Sequence, residues 1–118
     1  MTETDAAQVL TFAADDSGYL SELTELIAMP TVSRDADTAT MLTAAKWLAR
    51  QLSCVDGQVA PTDGHPAVRG QWLGAVGAPT ILVYGHYDVQ PTGDLAEWKT
   101  PPFELTIDGD VMRGRGTT

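Results

Sequence analysis

Gly85-His86-Tyr87-Asp88 is the stretch of this 118-residue chain whose residue types and spacing best suit chemistry. A histidine and an aspartate two residues apart project to the same side of an extended segment. The carboxylate can then accept one imidazole N–H and leave the lone pair of the other nitrogen for a metal ion. The pair alone is a weak signal, since His-x-Asp arises by chance in roughly one chain in ten of this size. A surface histidine beside a turn-forming aspartate satisfies the same pattern.

Other reactive types read more plainly. His65, between Gly64 and Pro66, suits a turn before a strand rather than a ligand position. Cys54, the one cysteine, has no neighbouring His or basic group to activate it and reads as a small semi-buried thiol at a helix end. Arg113 and Arg115 flank a glycine where an anion can bind, and an exposed hairpin end accounts for them equally. Asp15, Asp16, Asp35 and Asp37 suit helix caps and solvated faces better than a metal cluster. Trp98 with Pro101-Pro102-Phe103 fits a loop packed over the core better than a substrate wall.

The elements around these residues follow from periodicity. Residues 1–28 read as helix in one or two pieces, with Thr4 as N-cap and Ala6, Val9, Leu10 and Ala13 at helical spacing. Tyr19, Leu20, Leu23, Leu26 and Ile27 form a second stripe that Pro30 ends, and Gly18 leaves open a break between the two. Asp35 is the expected cap of a helix over 36–52, with Met41, Ala45, Leu48 and Leu52 along its core face, widened by Leu42 and Ala49. Beyond Gly57 the period shortens. Val68, Gly70 and Trp72 alternate with polar residues as a half-exposed strand does. Thr80-Ile81-Leu82-Val83-Tyr84 is a continuous apolar run, predicted to be an interior strand buried on both faces. It would deliver His86 to its carboxyl end, where sites gather in open α/β sheets. Phe103, Leu105 and Ile107 alternate again, and Asp108-Gly109 signals a hairpin into Val111-Met112. Helices followed by strands point to an α/β or α+β chain.

Composition narrows the function classes. Apolar residues at 43% and charged residues at 19% are globular values. Sixteen acidic against seven basic side chains give a net charge of -9 with no Lys/Arg cluster, which argues against nucleic acid. A single cysteine rules out an internal disulfide. Met1-Thr2-Glu3-Thr4-Asp5 lacks the positive start of a secretory signal, and no apolar run approaches the about 18 residues of a membrane span. A soluble, cytoplasmic protein with no membrane partner is expected.

The ordered series Gly85-His86-Tyr87-Asp88-Val89-Gln90-Pro91, Trp98, Pro101-Pro102-Phe103, Asp108-Gly109 and Gly114-Arg115-Gly116 resembles one family. It is that of the co-catalytic zinc metallopeptidases, which includes carnosinase, succinyl-diaminopimelate desuccinylase and glutamate carboxypeptidase. Tyr87 and Val89-Gln90-Pro91 are most similar to the carnosinase-like dipeptidase branch. Met29-Pro30-Thr31-Val32-Ser33 and Ala44-Ala45-Lys46-Trp47-Leu48 fall where members carry similar segments.

The resemblance implies an α/β fold. The chain would be the N-terminal part of a phosphorylase/aminopeptidase-like three-layer catalytic domain, with helices on a central mixed sheet. That domain would be incomplete over 1–118, with the lid domain absent. The resemblance further implies that His86 ligates one of two metals, usually zinc, with manganese or cobalt as alternatives. Asp88 would be the catalytic-site carboxylate that orients its imidazole. An Asp bridging both metals, in an Asp-Asp-Lys-Gly run, is due where the sequence reaches Thr118. Paired glutamates, one the general base, would follow. In the complete enzyme two metals share a water, a Glu takes its proton, and the hydroxide attacks a polarised amide carbonyl. The implied substrates are dipeptides or small N-acyl amino acids, and the parent is compatible with a homodimer. The 118 residues by themselves are expected to be inactive and to bind zinc weakly. A non-catalytic acidic binding or structural module, and an N-acyl amino acid deacylase of the same superfamily, are the alternatives.

Overall fold

A computed structural model describes residues 16–117. The expected cap at Thr4 and stripe from Ala6 to Ala13 lie outside the described residues. Helix α1 spans Asp16–Ile27 and runs through Gly18 without interruption. Its apolar stripe turns inward toward its C-terminal end, where Ile27 is buried while Tyr19 is exposed. Helix α2 spans Thr38–Gln51. The amides of Asp35 and Ala36 both donate to the Val32 carbonyl, so the chain is still turning there and Asp35 cannot cap. Asp37 takes that place, its carboxylate accepting the Thr40 amide at 2.6 Å.

The buried side chains lie on these helices and on the segment that joins them. Met41, Ala44, Ala45 and Trp47 are buried on α2, and Ile27, Thr31 and Val32 are buried at the end of α1 and in the segment that follows it. The buried face is therefore rotated from the expected one: Leu48 is half-buried and Leu52, past the helix end, is exposed. Trp47 keeps its indole N–H satisfied by donating to Glu25 of α1 at 2.7 Å. The short 3₁₀ turn Ser53–Val55 follows and carries Cys54 outward, exposed rather than semi-buried.

Among the described residues two antiparallel hairpins supply the strands. β1 (Gln58–Ala60) pairs with β2 (Ala67–Arg69) in the register Gln58–Arg69, Val59–Val68, Ala60–Ala67, and this ladder packs on α2. The expected strand through Trp72 stops at Arg69, because the Gln71 amide turns back to the Val55 carbonyl at 2.6 Å and leaves Trp72 in solvent. β3 (Thr106–Asp108) and β4 (Val111–Arg113) form the hairpin signalled by Asp108-Gly109, with Ile107 opposite Met112. Phe103 falls in a turn closed by the Glu104 amide on the Pro101 carbonyl, so the strand begins only at Thr106.

The chain is thus mixed α/β, as expected, with small antiparallel ladders. The prediction that 80–84 is an interior strand fails. Ile81, Leu82, Val83 and Tyr84 are 83%, 91%, 87% and 87% exposed, and no ladder includes them. The physical reason is partnership: an apolar run becomes an interior strand only with a strand on each side and layers over both faces. Among the described residues nothing takes those places.

Candidate functional site

The segment 30–33, between α1 and α2, organises the His86 region. Val32 and Val89 form a parallel bridge, and the Val89 amide donates to the Thr31 carbonyl at 2.9 Å. Thr31, 2% exposed, donates its hydroxyl to the Tyr87 carbonyl at 2.7 Å, so two backbone groups flanking Asp88 are tied to one threonine. The Tyr87 hydroxyl donates to the Pro66 carbonyl. His65, beside Pro66, donates its Nε2 proton to the Ser33 carbonyl at 2.7 Å. It has a structural task, which agrees with reading it as a turn residue rather than a ligand.

With Tyr87 tied to Pro66, its two neighbours come together. His86 Nδ1 lies 2.9 Å from the Asp88 carbonyl and 3.1 Å from Asp88 Oδ1. A carbonyl can only accept, so Nδ1 carries a proton, and in the neutral ring Nε2 presents a lone pair. Both side chains are open to solvent, His86 at 71% and Asp88 at 40%. The second carboxylate oxygen, Oδ2, accepts the Ser33 hydroxyl at 2.6 Å. The Ser33 hydroxyl holds the Asp88 carboxyl below the ordinary carboxylate range; burial opposes this, and the His86 hydrogen bond and charge add to it. Burial, and then the Asp88 charge, push the Tyr87 hydroxyl up.

The Gly114-Arg115-Gly116 turn docks on this segment from the other end of the chain. A Cβ at Gly114 would come within 3.1 Å of Ile27 Cγ2, and one at Gly116 within 3.1 Å of Val89 Cγ1. Arg115 lies over the Trp98 ring, 4.8 Å from its centroid, and both donate to the Thr92 carbonyl, at 3.2 and 2.9 Å. Trp98 is therefore a packing residue of the 92–98 loop. Arg113 pairs with Asp108 at 3.3 Å diagonally across the hairpin.

The donor set fits one corner of a metal site. His86 offers one nitrogen lone pair, and among the described residues no three His, Cys, Asp or Glu side chains converge as a metal cage. Catalytic zinc takes about three protein ligands. Ser33, Thr31 and Tyr87 were not recognisable as supports from spacing, because their partners lie between 21 and 56 residues away. The one available signal was the likeness of Met29–Ser33 to a family segment.

Part of the chain is similar in sequence to known peptidases. Residues 82–118 match the peptidase family M20/M25/M40. The chain is 34% identical over 118 residues to the Cys-Gly metallodipeptidase DUG1 of Saccharomyces cerevisiae, covering 85% of the chain and 24% of that protein. It is 33% identical over 115 residues to the probable di- and tripeptidase DUG2 of the same yeast, covering 84% of the chain and 13% of that protein. It is 35% identical over 101 residues to a succinyl-diaminopimelate desuccinylase of Stenotrophomonas maltophilia, covering 86% of the chain and 26% of that protein. The chain thus spans about a quarter or less of the length of these relatives. No solved structure matches it. Among the described residues no helix is long and apolar enough to cross a membrane.

Proposed function

We propose that the chain, whose residues 82–118 match the peptidase family M20/M25/M40, is the N-terminal portion of the catalytic domain of a metal-dependent dipeptidase. In this reading His86 is a metal ligand through Nε2, and Asp88 is the carboxylate that fixes its ring. The observation that carries it is the pair of contacts from His86 Nδ1 to Asp88, at 2.9 and 3.1 Å, which leave Nε2 as the free donor. When bound, zinc or a similar divalent ion would supply an activated water for amide hydrolysis. The chain's own part is to hold the imidazole in one tautomer and one orientation. Substrates are proposed to be dipeptides. N-acyl amino acid deacylation is the second reading, favoured by the desuccinylase relative at a similar identity.

One imidazole binds zinc weakly, since affinity rests on several deprotonated ligands converging. The test is therefore a footprint rather than a rate. Cobalt(II) titrated into the 15N-labelled chain should broaden the His86 resonances first, before those of His65, and the effect should vanish in His86→Ala. Broadening centred on His65 or on the acidic side chains of 15–37 would overturn the assignment. Turnover of Cys-Gly or of an N-succinyl amino acid, above a chelated control and lost in His86→Ala, would overturn the one-ligand reading and identify the substrate class.

A further inference from the structure

The Asp88 carboxylate has two oxygens with two different side-chain partners. Oδ1 faces His86 Nδ1 at 3.1 Å, and Oδ2 accepts the Ser33 hydroxyl at 2.6 Å. A carboxylate held by one oxygen still rotates about its Cβ–Cγ bond. Held by both, its plane is set, and so is the direction from which it meets the imidazole. Ser33 is itself fixed on each side. Its carbonyl accepts His65 Nε2–H at 2.7 Å, and the preceding Val32 bridges Val89, the residue after Asp88.

We propose that Ser33 is a positioning residue of the candidate metal site: its hydroxyl orients the Asp88 carboxylate and so keeps the proton of His86 on Nδ1, with Nε2 free as the metal donor. This rests on the reading of His86 and Asp88 given above. Ser33 neither touches a metal nor reacts. Its effect reaches the site through Asp88 alone, and the serine is brought there by a parallel bridge between segments 55 residues apart. The Asp88 backbone carbonyl also accepts the Nδ1 proton, at 2.9 Å, so loss of the hydroxyl weakens the tautomer preference without abolishing it.

The test is the imidazole tautomer, read from long-range 1H–15N correlations of the 15N-histidine chain at about pH 8.5, above the ordinary imidazole range. Ser33→Thr keeps a hydroxyl on Cβ, and Ser33→Val presents nearly the same shape without it. The native chain and Ser33→Thr should show His86 protonated on Nδ1. Ser33→Val should lower the ratio of Nδ1–H to Nε2–H about fivefold, toward the ratio in Asp88→Asn. Folding of each variant is checked by protection of the Val89 amide, and Ser33→Ala, which adds no volume, replaces Ser33→Val if that protection is lost. An unchanged ratio without the hydroxyl, together with a shift in Asp88→Asn, overturns the role of Ser33 and leaves the His86–Asp88 reading intact. A native His86 protonated mainly on Nε2, or no response to Asp88→Asn, overturns that reading and this one with it.

Discussion

Replacing Gly116 by alanine tests how tightly the Gly114-Arg115-Gly116 turn is seated on the candidate site. Gly116 has φ +100°, a backbone region that L residues rarely adopt, and its added Cβ would lie 3.1 Å from Val89 Cγ1. The backbone strain costs about 1–2 kcal/mol. The contact is shorter than the ~3.5–4.0 Å of optimal carbon packing. Val89 cannot simply retreat, because its amide is bonded to Thr31 and its neighbour Asp88 is held by Ser33. Crowding a fixed side chain adds roughly 1 kcal/mol, for a total of about 2–3 kcal/mol. Gly109 is the comparison: its φ is +59° in the β3–β4 hairpin, with nothing within 4 Å of an added Cβ. Gly109→Ala should therefore cost the backbone strain alone, about 1 kcal/mol. Urea unfolding followed by tryptophan fluorescence measures both, with Trp98 under Arg115 reporting next to the turn. Gly116→Ala costing no more than Gly109→Ala would refute the claim that the turn is packed against Val89.

Acid should destabilise the site segment through Asp88. Its carboxyl is held below the ordinary range, so its contribution is fully present above the unfolded aspartate pKa of about 3.9 and is lost as pH falls through the depressed folded value. Urea midpoints measured through that acid window should fall less steeply in Asp88→Asn, and an equal slope would contradict the Ser33–Asp88 bond. The uncovered run Ile81–Tyr84 is β-branched, aromatic and uncharged, which makes it a pairing template for other chains. Thioflavin T growth curves should be slowed by Leu82→Lys, and curves unaffected by that charge would place the association elsewhere.

Local chemistry was legible in the sequence, because local chemistry is what adjacent residues decide. The hairpin with its two-residue loop Gly109-Asp110, the helix ending at Gln51 and the His86–Asp88 pair each depend on groups within a few positions of one another. Even there, the choice of Asp37 over Asp35 as the cap depended on a turn closed by Val32. The supports of the pair were not legible. Ser33 reaches Asp88 across 55 positions, Thr31 reaches the Tyr87 carbonyl across 56, and Tyr87 reaches Pro66 across 21. No spacing rule connects such residues, since only the docking of segment 30–33 beside Val89 brings them within hydrogen-bond range. The run 80–84 marks the same boundary from the other side. Its pattern sets a preference for burial in a sheet, but burial needs neighbours, and neighbours are set by the tertiary structure rather than by the run itself.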